Sequence, residues 1–422
     1  MDSMYYGETL IVDLAAGTTE EVDFVEADEV GPGLAAGLAL FEKHKDYDPI
    51  IFGSGLFTGT PVPAACLGFV LGRSPLTGEL AVAPLNLFAG SEMKLSGFSM
   101  VVVKGTSAKP AYLWLHDGVA DVLDASAMAG MDTWQTTDAI RREMGESMIQ
   151  VLAIGPAGEA GSKLAAFSIN YWGSGDTAAL GALMGARNLK AVALRGLGML
   201  DAEDPEEFYA SSLELFASAR KDKGFGALCS ALGAGDIDAW LEPIAHRVRA
   251  CFACPSACFT FVKYNEAPSV MESSQVDEPG MLVTSPAAAL WLMDAGWEPE
   301  AAARALEALA REGLDMVRGA RELAGKPLTD PEQIASAVKA LEGSAEAAWP
   351  VGEPMPSGLF GAWTPPIADA DAWKLANIVG YVLGVCPTYL MLSEFDLEAL
   401  AGLCRPAAGL EVEIGGLADL FG

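Results

Sequence analysis

Three cysteines within eight residues, Cys251-Phe-Ala-Cys254-Pro-Ser-Ala-Cys258, constrain this chain more than any other feature. Their spacing is C-x2-C-x3-C. A cubane [4Fe–4S] cluster takes four thiolates around a compact core. One turn of chain can supply three corners, and a distant cysteine closes the fourth. Pro255 helps fix the turn, and Phe252, Phe259 and Phe261 offer an apolar wall that would shield a cluster and tune its potential. The fourth thiolate has four candidates: Cys66, Cys229, Cys386 and Cys404. Cys386 sits in Leu383-Gly384-Val385-Cys386-Pro387, just past a predicted helix, and spacing alone favours it only weakly. The competing readings are a structural zinc site and plainly buried thiols. Zinc sites usually carry paired C-x2-C knuckles or histidines. Here there is no second knuckle, and His44, His116 and His246 are too scattered to form a histidine site.

The chain has 422 residues, enough for two or three domains and a large core. Its formal net charge of −31 sets it against nucleic acid and anionic membranes. No apolar run of membrane-spanning length occurs, and Met1 to Gly7 lacks the pattern of a secretory signal. A cytoplasmic location is expected. In a chain of this size without such a signal, clustered cysteines read as metal or redox chemistry rather than a disulfide frame.

Residues 1–200 read as β-rich. Glu8 to Leu14 and Thr19 to Phe24 form one predicted hairpin. Ala111 to Leu115 and Val119 to Leu123 form another across Asp117-Gly118. Ser99 to Lys104, Val151 to Ile154 and Ala191 to Leu194 read as strands. Gly33 to Glu42, Trp134 to Met144 and Ala178 to Gly185 read as helices. Residues 201–422 read as mainly helical, with helices over Pro205 to Arg220, Pro286 to Ala295, Glu298 to Glu312, Leu314 to Leu323, Pro331 to Leu341 and Ala368 to Leu383. Glu346 to Pro366, with five prolines and three glycines, reads as a linker. The expected class is α+β: a β-rich N-terminal domain over 1–200, then a helical region over 201–422 that carries the cysteines.

Five further segments give the sequence a resemblance. They are Leu10-Ile11-Val12-Asp13-Leu14, Gly53-Ser54-Gly55-Leu56-Phe57-Thr58-Gly59-Thr60, Ser74-Pro75-Leu76-Thr77-Gly78, Ile154-Gly155-Pro156-Ala157-Gly158-Glu159, and Gly181-Ala182-Leu183-Met184-Gly185-Ala186-Arg187-Asn188-Leu189-Lys190. With the cysteine triplet and Leu383-Gly384-Val385-Cys386, they resemble the tungsten-containing aldehyde ferredoxin oxidoreductase family. The resemblance implies that Cys251, Cys254, Cys258 and Cys386 hold one [4Fe–4S] cluster. It also implies a bis-pyranopterin tungsten or molybdenum centre beside the cluster, oxidation of aldehydes to carboxylic acids, and ferredoxin as electron acceptor. Asp277 and Gly280 fall in the family's pterin-binding Asp-x-x-Gly-Leu-Asp motif.

The sequence departs from the family at the pterin contacts. Leu67 replaces a pterin-side Arg, Leu85-Asn86-Leu87 replaces a Ser-Gly-Gly stretch, and Thr177-Ala178-Ala179 replaces Arg-Gly-Gly. Leu282 replaces the last Asp of the first pterin motif, and Tyr381 the first Asp of the second. Glycine lets backbone amides approach an anion, and Arg adds a fixed fork of donors. Only residues 259–276 separate Cys258 from Asp277. That interval is far shorter than the family's, and Glu272 is its nearest candidate for the catalytic acid. The chain reads as a shortened member.

The favoured expectation is a cluster-bearing electron-transfer subunit that has lost the pterins. It would work in a homo- or hetero-oligomer, for instance beside an active paralogue, with an exposed apolar patch where the cofactor sat. An active tungstopterin enzyme and a structural scaffold are the alternatives. Among the other residues, Asp176 reads as a helix cap, Gly173-Ser174-Gly175 as a turn, His246 with Arg247 and Arg249 as a solvated helix end, and Trp172 and Trp291 as core. Cys66, Cys229 and Cys404 read as buried small apolar residues.

Overall fold

The computed structural model describes residues 4, 8–23, 30–219, 237–264, 280–342, 370–392 and 396–420. Cys229, Asp277, Glu272 and the predicted linker at Glu346 to Pro366 lie outside them.

The first half holds two mixed sheets. In the first, β1 (Glu8–Asp13), β2 (Thr18–Asp23), β3 (Ile50–Ser54), β4 (Gly68–Arg73), β5 (Leu80–Leu85) and β6 (Met100–Lys104) take the order β2-β1-β6-β3-β4-β5. Only β1 and β6 run parallel; their neighbours pair antiparallel. Side chains alternate across a strand with period two, and here both faces are covered. Leu10, Val12, Phe52, Val70, Val101 and Val103 enter one core, while Ile11, Ile51, Phe69, Leu71, Met100 and Val102 enter another. Double burial explains why Met-Val-Val-Val reads as a continuous apolar run rather than an alternation.

The second sheet joins β7 (Ala111–His116), β8 (Val119–Asp124), β9 (Gln150–Ile154), β10 (Phe167–Ile169) and β11 (Leu189–Arg195) in the order β10-β9-β11-β7-β8. Its Leu113, Leu115, Leu152, Phe167, Val192 and Leu194 share the first core with β1 and β6. Asp117 and Gly118 close the β7–β8 turn with φ of 45° and 79°, as a two-residue hairpin with left-handed central residues requires.

The second half is helical, as expected. Helices cover Pro205–Ala219, Pro286–Asp294, Pro299–Glu312, Met316–Ala324, Pro331–Glu342 and Ala370–Leu383. A small antiparallel sheet, β12 (Ala245–Arg249), β13 (Phe259–Val262) and β14 (Met281–Val283), interrupts them. It corrects two sequence expectations. The cysteine triplet lies in the β12–β13 connection rather than among helices. His246, Arg247 and Arg249 sit on strand β12, where Arg247 stacks on Phe261 and Arg249 on Phe88. Trp291 is a third correction. Trp172 is core, but Trp291 is 41 % exposed, with the Arg321 guanidinium over its ring. Among the described residues no helix is long and apolar enough to cross a membrane.

Candidate metal centre

The cysteine loop is gripped from outside by backbone. Cys254 N–H turns back on the Cys251 carbonyl at 3.2 Å, with Ala253 left-handed at φ 48°. The Ala253 carbonyl accepts from Ala64 N–H at 2.8 Å. Leu87 holds the other side: its carbonyl accepts from Phe252 N–H at 2.9 Å, and its own N–H points at Cys251 Sγ, 3.3 Å away. Ala64 and Leu87 are left-handed too, at φ 59° and 57°. Non-glycine residues adopt that region at a cost of about 1–2 kcal/mol each, so the surrounding contacts must hold all three in place.

Cys386 arrives on the far side of the same Ala64. Its N–H donates to the Ala64 carbonyl at 3.1 Å, and the adjacent Gly384 carbonyl accepts from Leu67 N–H at 3.0 Å. Gly384 ends the helix Ala370–Leu383 at φ 85°. The segment Gly55 to Thr60 crosses it closely enough that a Cβ on Gly55 would lie 2.1 Å from Gly384 N, and one on Gly384 2.2 Å from Thr58 Oγ1. Leu56 and Phe57 donate to the carbonyls of Val382 and Leu383 at 3.2 and 2.7 Å. Lys94, fully buried, donates to the carbonyls of Gly55 and Leu56 and pins the crossing from behind. Burial pushes its ammonium down to about 7. Two of the resembling segments therefore have a mechanical job, which is to seat Cys386.

Cys251, Cys254, Cys258 and Cys386 are brought together. Each of the six pairs among them interacts electrostatically. Cys251 and Cys258 pack against one core and Cys254 and Cys386 against the other, so the thiols meet where the two cores touch. Burial pushes Cys254 and Cys258 well up and Cys386 to about 11, while thiol and backbone donors and Arg249 pull Cys251 down. Amides of Thr388 and Tyr389 point at Cys386. Phe259 and Phe261 are buried as expected, and Phe252 packs edge-on against Phe88. Among the described residues, no three of His, Cys, Asp and Glu gather around a point where a single metal ion would sit.

Cys404 is a buried core thiol, pushed to about 12 by burial, in keeping with its sequence reading. Cys66 is buried too, 1 % exposed, as its sequence reading has it, and its thiol interacts electrostatically with Cys251. No spacing rule links positions 66 and 251, and only the fold reveals the contact.

The positions that depart at the pterin contacts lie in packed protein. Leu67, Leu85, Leu87, Ala179, Leu282 and Tyr381 are all buried in the cores. An exposed apolar patch at these positions, expected from sequence, is therefore absent. Gly280 is needed for close packing, since a Cβ there would lie 2.2 Å from the Val262 carbonyl. Asp176 does cap the helix Leu180–Ala186. Its Oδ1 accepts from Ala178 and Leu180 N–H at 3.0 and 3.1 Å, and its Oδ2 from Gly181 N–H at 2.8 Å. Burial raises its carboxyl to about 6 despite those donors. Gly173-Ser174-Gly175 is irregular chain rather than the hydrogen-bonded turn expected, tethered by Ser174 Oγ, which donates to the Phe167 carbonyl.

Residues 9–196 match the family model described as aldehyde ferredoxin oxidoreductase, N-terminal domain. A tungsten-containing aldehyde ferredoxin oxidoreductase of Pyrococcus abyssi is 28 % identical over 307 residues, covering 64 % of this chain and 50 % of that protein. The WOR-like subunit of the aliphatic sulfonate oxidoreductase of Pyrococcus furiosus is 26 % identical over 219 residues, covering 46 % of this chain and 35 % of that subunit. The chain thus spans half or less of the length of these relatives. Among solved structures, the active site complex BamBC of benzoyl coenzyme A reductase, bound to 1,5-dienoyl-CoA, superposes with a TM-score of 0.75 at 18 % identity. That match covers all of this chain and 87 % of the other.

Proposed function

We propose that this chain is a divergent member of the aldehyde ferredoxin oxidoreductase family, whose N-terminal-domain model it matches over residues 9–196, and that within it the protein is an electron-transfer subunit holding one [4Fe–4S] cluster and no pterin. The observation that carries the reading is the meeting of Cys251, Cys254, Cys258 and Cys386, half-buried and drawn together from two distant segments. Four half-buried thiols, with backbone N–H groups aimed at the sulfurs of Cys251 and Cys386, fit a cubane cluster.

The pterin side does not fit the family's cofactor. Leu67 and Leu282 present hydrocarbon where polar groups would meet a pterin. The Asp176 carboxylate already takes the N–H groups at the start of the helix Leu180–Ala186. A second anion there would meet occupied donors and a like charge.

A bound cluster supplies one-electron transfer. The chain's own groups set the terms. The thiolates of Cys251, Cys254, Cys258 and Cys386 would hold the cluster. The amides of Leu87, Thr388 and Tyr389 offset negative charge on the sulfurs, and the phenylalanines keep water from one side. A one-electron relay needs a redox partner at close range. Ferredoxin or a catalytic paralogue would serve, in a homo- or hetero-oligomer. The subunit character of the sulfonate-oxidoreductase relative and the complex formed by the superposed structure support such an assembly. The unpaired cysteines suit a reducing cytoplasm.

The test is metal and pterin analysis of anaerobically purified protein. About four Fe per chain without W, Mo or pterin is the expected result. Stoichiometric W or Mo with pterin would restore the aldehyde-oxidising reading, and Zn in place of Fe would sink the cluster.

A further inference from the structure

We propose that the protein has a buried site for one monovalent anion of halide size, between the start of the helix Leu34–Lys43 and the side chain of Lys94. The site is separate from the cysteine loop and does not depend on what the thiols bind. The first amides of an α-helix have no partner inside the helix and take one from a capping side chain, water or a ligand. Here the N-cap is Gly33, at φ 61°. A Cβ at that position would lie 2.3 Å from the Val382 carbonyl oxygen and 2.6 Å from that of Tyr381, so no capping side chain fits. The helix start is also sealed from bulk solvent, with Leu34, Ala35 and Ala36 all buried. Gly37 N–H donates to the Gly33 carbonyl at 3.0 Å, but among the described residues no acceptor meets the N–H groups of Leu34, Ala35 and Ala36. Buried amides left without a partner are rare.

Lys94, on a different helix, lines the same small cavity as Gly33 and Ala36. Its side chain is fully buried. An ammonium has three N–H donors. Two go to the carbonyls of Gly55, at 3.1 Å, and Leu56. The third meets no acceptor among the described residues, and no carboxylate answers the charge; burial alone shifts this ammonium. A buried charge is costly unless an opposite charge meets it. The positive end of a helix and an unanswered ammonium on one cavity both favour an anion. Water would satisfy the donors but leave the charge uncompensated. The space holds about one water-sized body, which admits a halide and shuts out phosphate and sulfate. The hydroxyls of Thr9 and Ser99, also on the cavity wall, can turn to donate as well. The ion would join the helix Leu34–Lys43 to the crossing at Gly55 and Leu56.

The experiment measures urea unfolding of the full chain, purified anaerobically, in sodium chloride and in sodium gluconate at equal ionic strength; gluconate is too large for the cavity. Chloride at about ten times its half-saturating concentration should lower the unfolding equilibrium constant about elevenfold relative to gluconate. Lys94→Met removes the charge and should unfold alike in both salts. Crystals of the wild-type chain grown in sodium bromide should show the anomalous signal of bromine between Lys94 Nζ and the Ala36 amide. That readout needs no variant and decides the matter if Lys94→Met does not fold. Identical wild-type unfolding in chloride and gluconate overturns the inference, as does a chloride effect that persists in Lys94→Met. A water in the cavity, with bromide at the protein surface alone, means an adventitious ion only and overturns it too. None of these readouts involves iron, so the cluster reading stands or falls separately.

Discussion

The cysteine pocket and the adjoining region of the departed pterin contacts treat their backbone donors in opposite ways. Around the thiols, the N–H groups of Leu87, Thr388 and Tyr389 point at sulfur, and Ala64, Leu87 and Ala253 keep left-handed backbones that cost stability. At the start of the helix Leu180–Ala186, donors are answered from within by Asp176, and the neighbouring substituted positions are filled with hydrocarbon. Backbone strain does not separate the two, because Ala179 at that helix start is left-handed as well, at φ 59°; what separates them is that the donors around the thiols end on sulfur. Where side chains satisfy one another, there is nothing left for a ligand to complete.

The largest test of that contrast is iron. Cys258→Ala removes one corner, and iron should fall from about four per chain to below one. Cys404→Ala, at a buried thiol that interacts electrostatically with none of the four, should keep its iron. Equal loss in both would mean that iron content follows folding rather than ligation.

Next in size is a charge placed on the closed side. Leu282 is fully buried, so Leu282→Asp should cost roughly 4 kcal/mol in denaturant unfolding. A cost below about 1 kcal/mol, the range of a surface change, would show that the position faces an open, wettable space and that the pterin region is not closed.

Gly384→Ala probes the seat of Cys386. The new Cβ would press on Thr58 Oγ1 from a backbone at φ 85°, for a cost of about 2–3 kcal/mol. Iron should be lost together with stability. If stability falls and iron stays at wild-type level, the crossing of Gly55 over Gly384 supports the fold without positioning the ligand.

Much of this was legible in the sequence, for reasons that differ by element. The hairpin at Asp117-Gly118 and the cysteine triplet follow from local chemistry, since a two-residue turn and a metal-ligand loop are set by neighbours in the chain. Strands β3, β4 and β5 were not read. Buried on both faces, Ile50-Ile51-Phe52 and Gly68 to Leu71 lack the alternation that marks a strand. The short sheet around the cysteines was missed because its strands have only three to five residues. Cys66 was rightly read as buried, but its nearness to Cys251 was hidden for a third reason. Its partner lies 185 positions away, and only the grip of Ala64 on both ligand segments brings them together. Asp176 was rightly read as a cap, but that it answers three amides at a helix start left without Arg-Gly-Gly needed coordinates.

The smallest expected effect lies at Asp176 and turns on pH. Its carboxyl titrates at about 6 in the folded protein against 3.8 for a free side chain. Between those values the folded chain binds more protons than the unfolded one. Stability from this group is therefore full below about pH 4, falls as pH rises towards 6, and is flat above. Asp176→Asn cannot titrate. It keeps an oxygen for Ala178 and Leu180 but turns an NH2 towards Gly181 N–H, which should cost about 1 kcal/mol at pH 7. At pH 5 wild type regains a protonated, neutral acid, and its advantage over the variant should grow by about 1 kcal/mol more. Urea unfolding of both proteins at pH 5 and 7 reads the difference. A widening gap means the carboxylate is sealed in a dry, self-satisfied cap. Parallel profiles would mean that water reaches Asp176, so that the start of this helix is open to solvent and could still receive an anion.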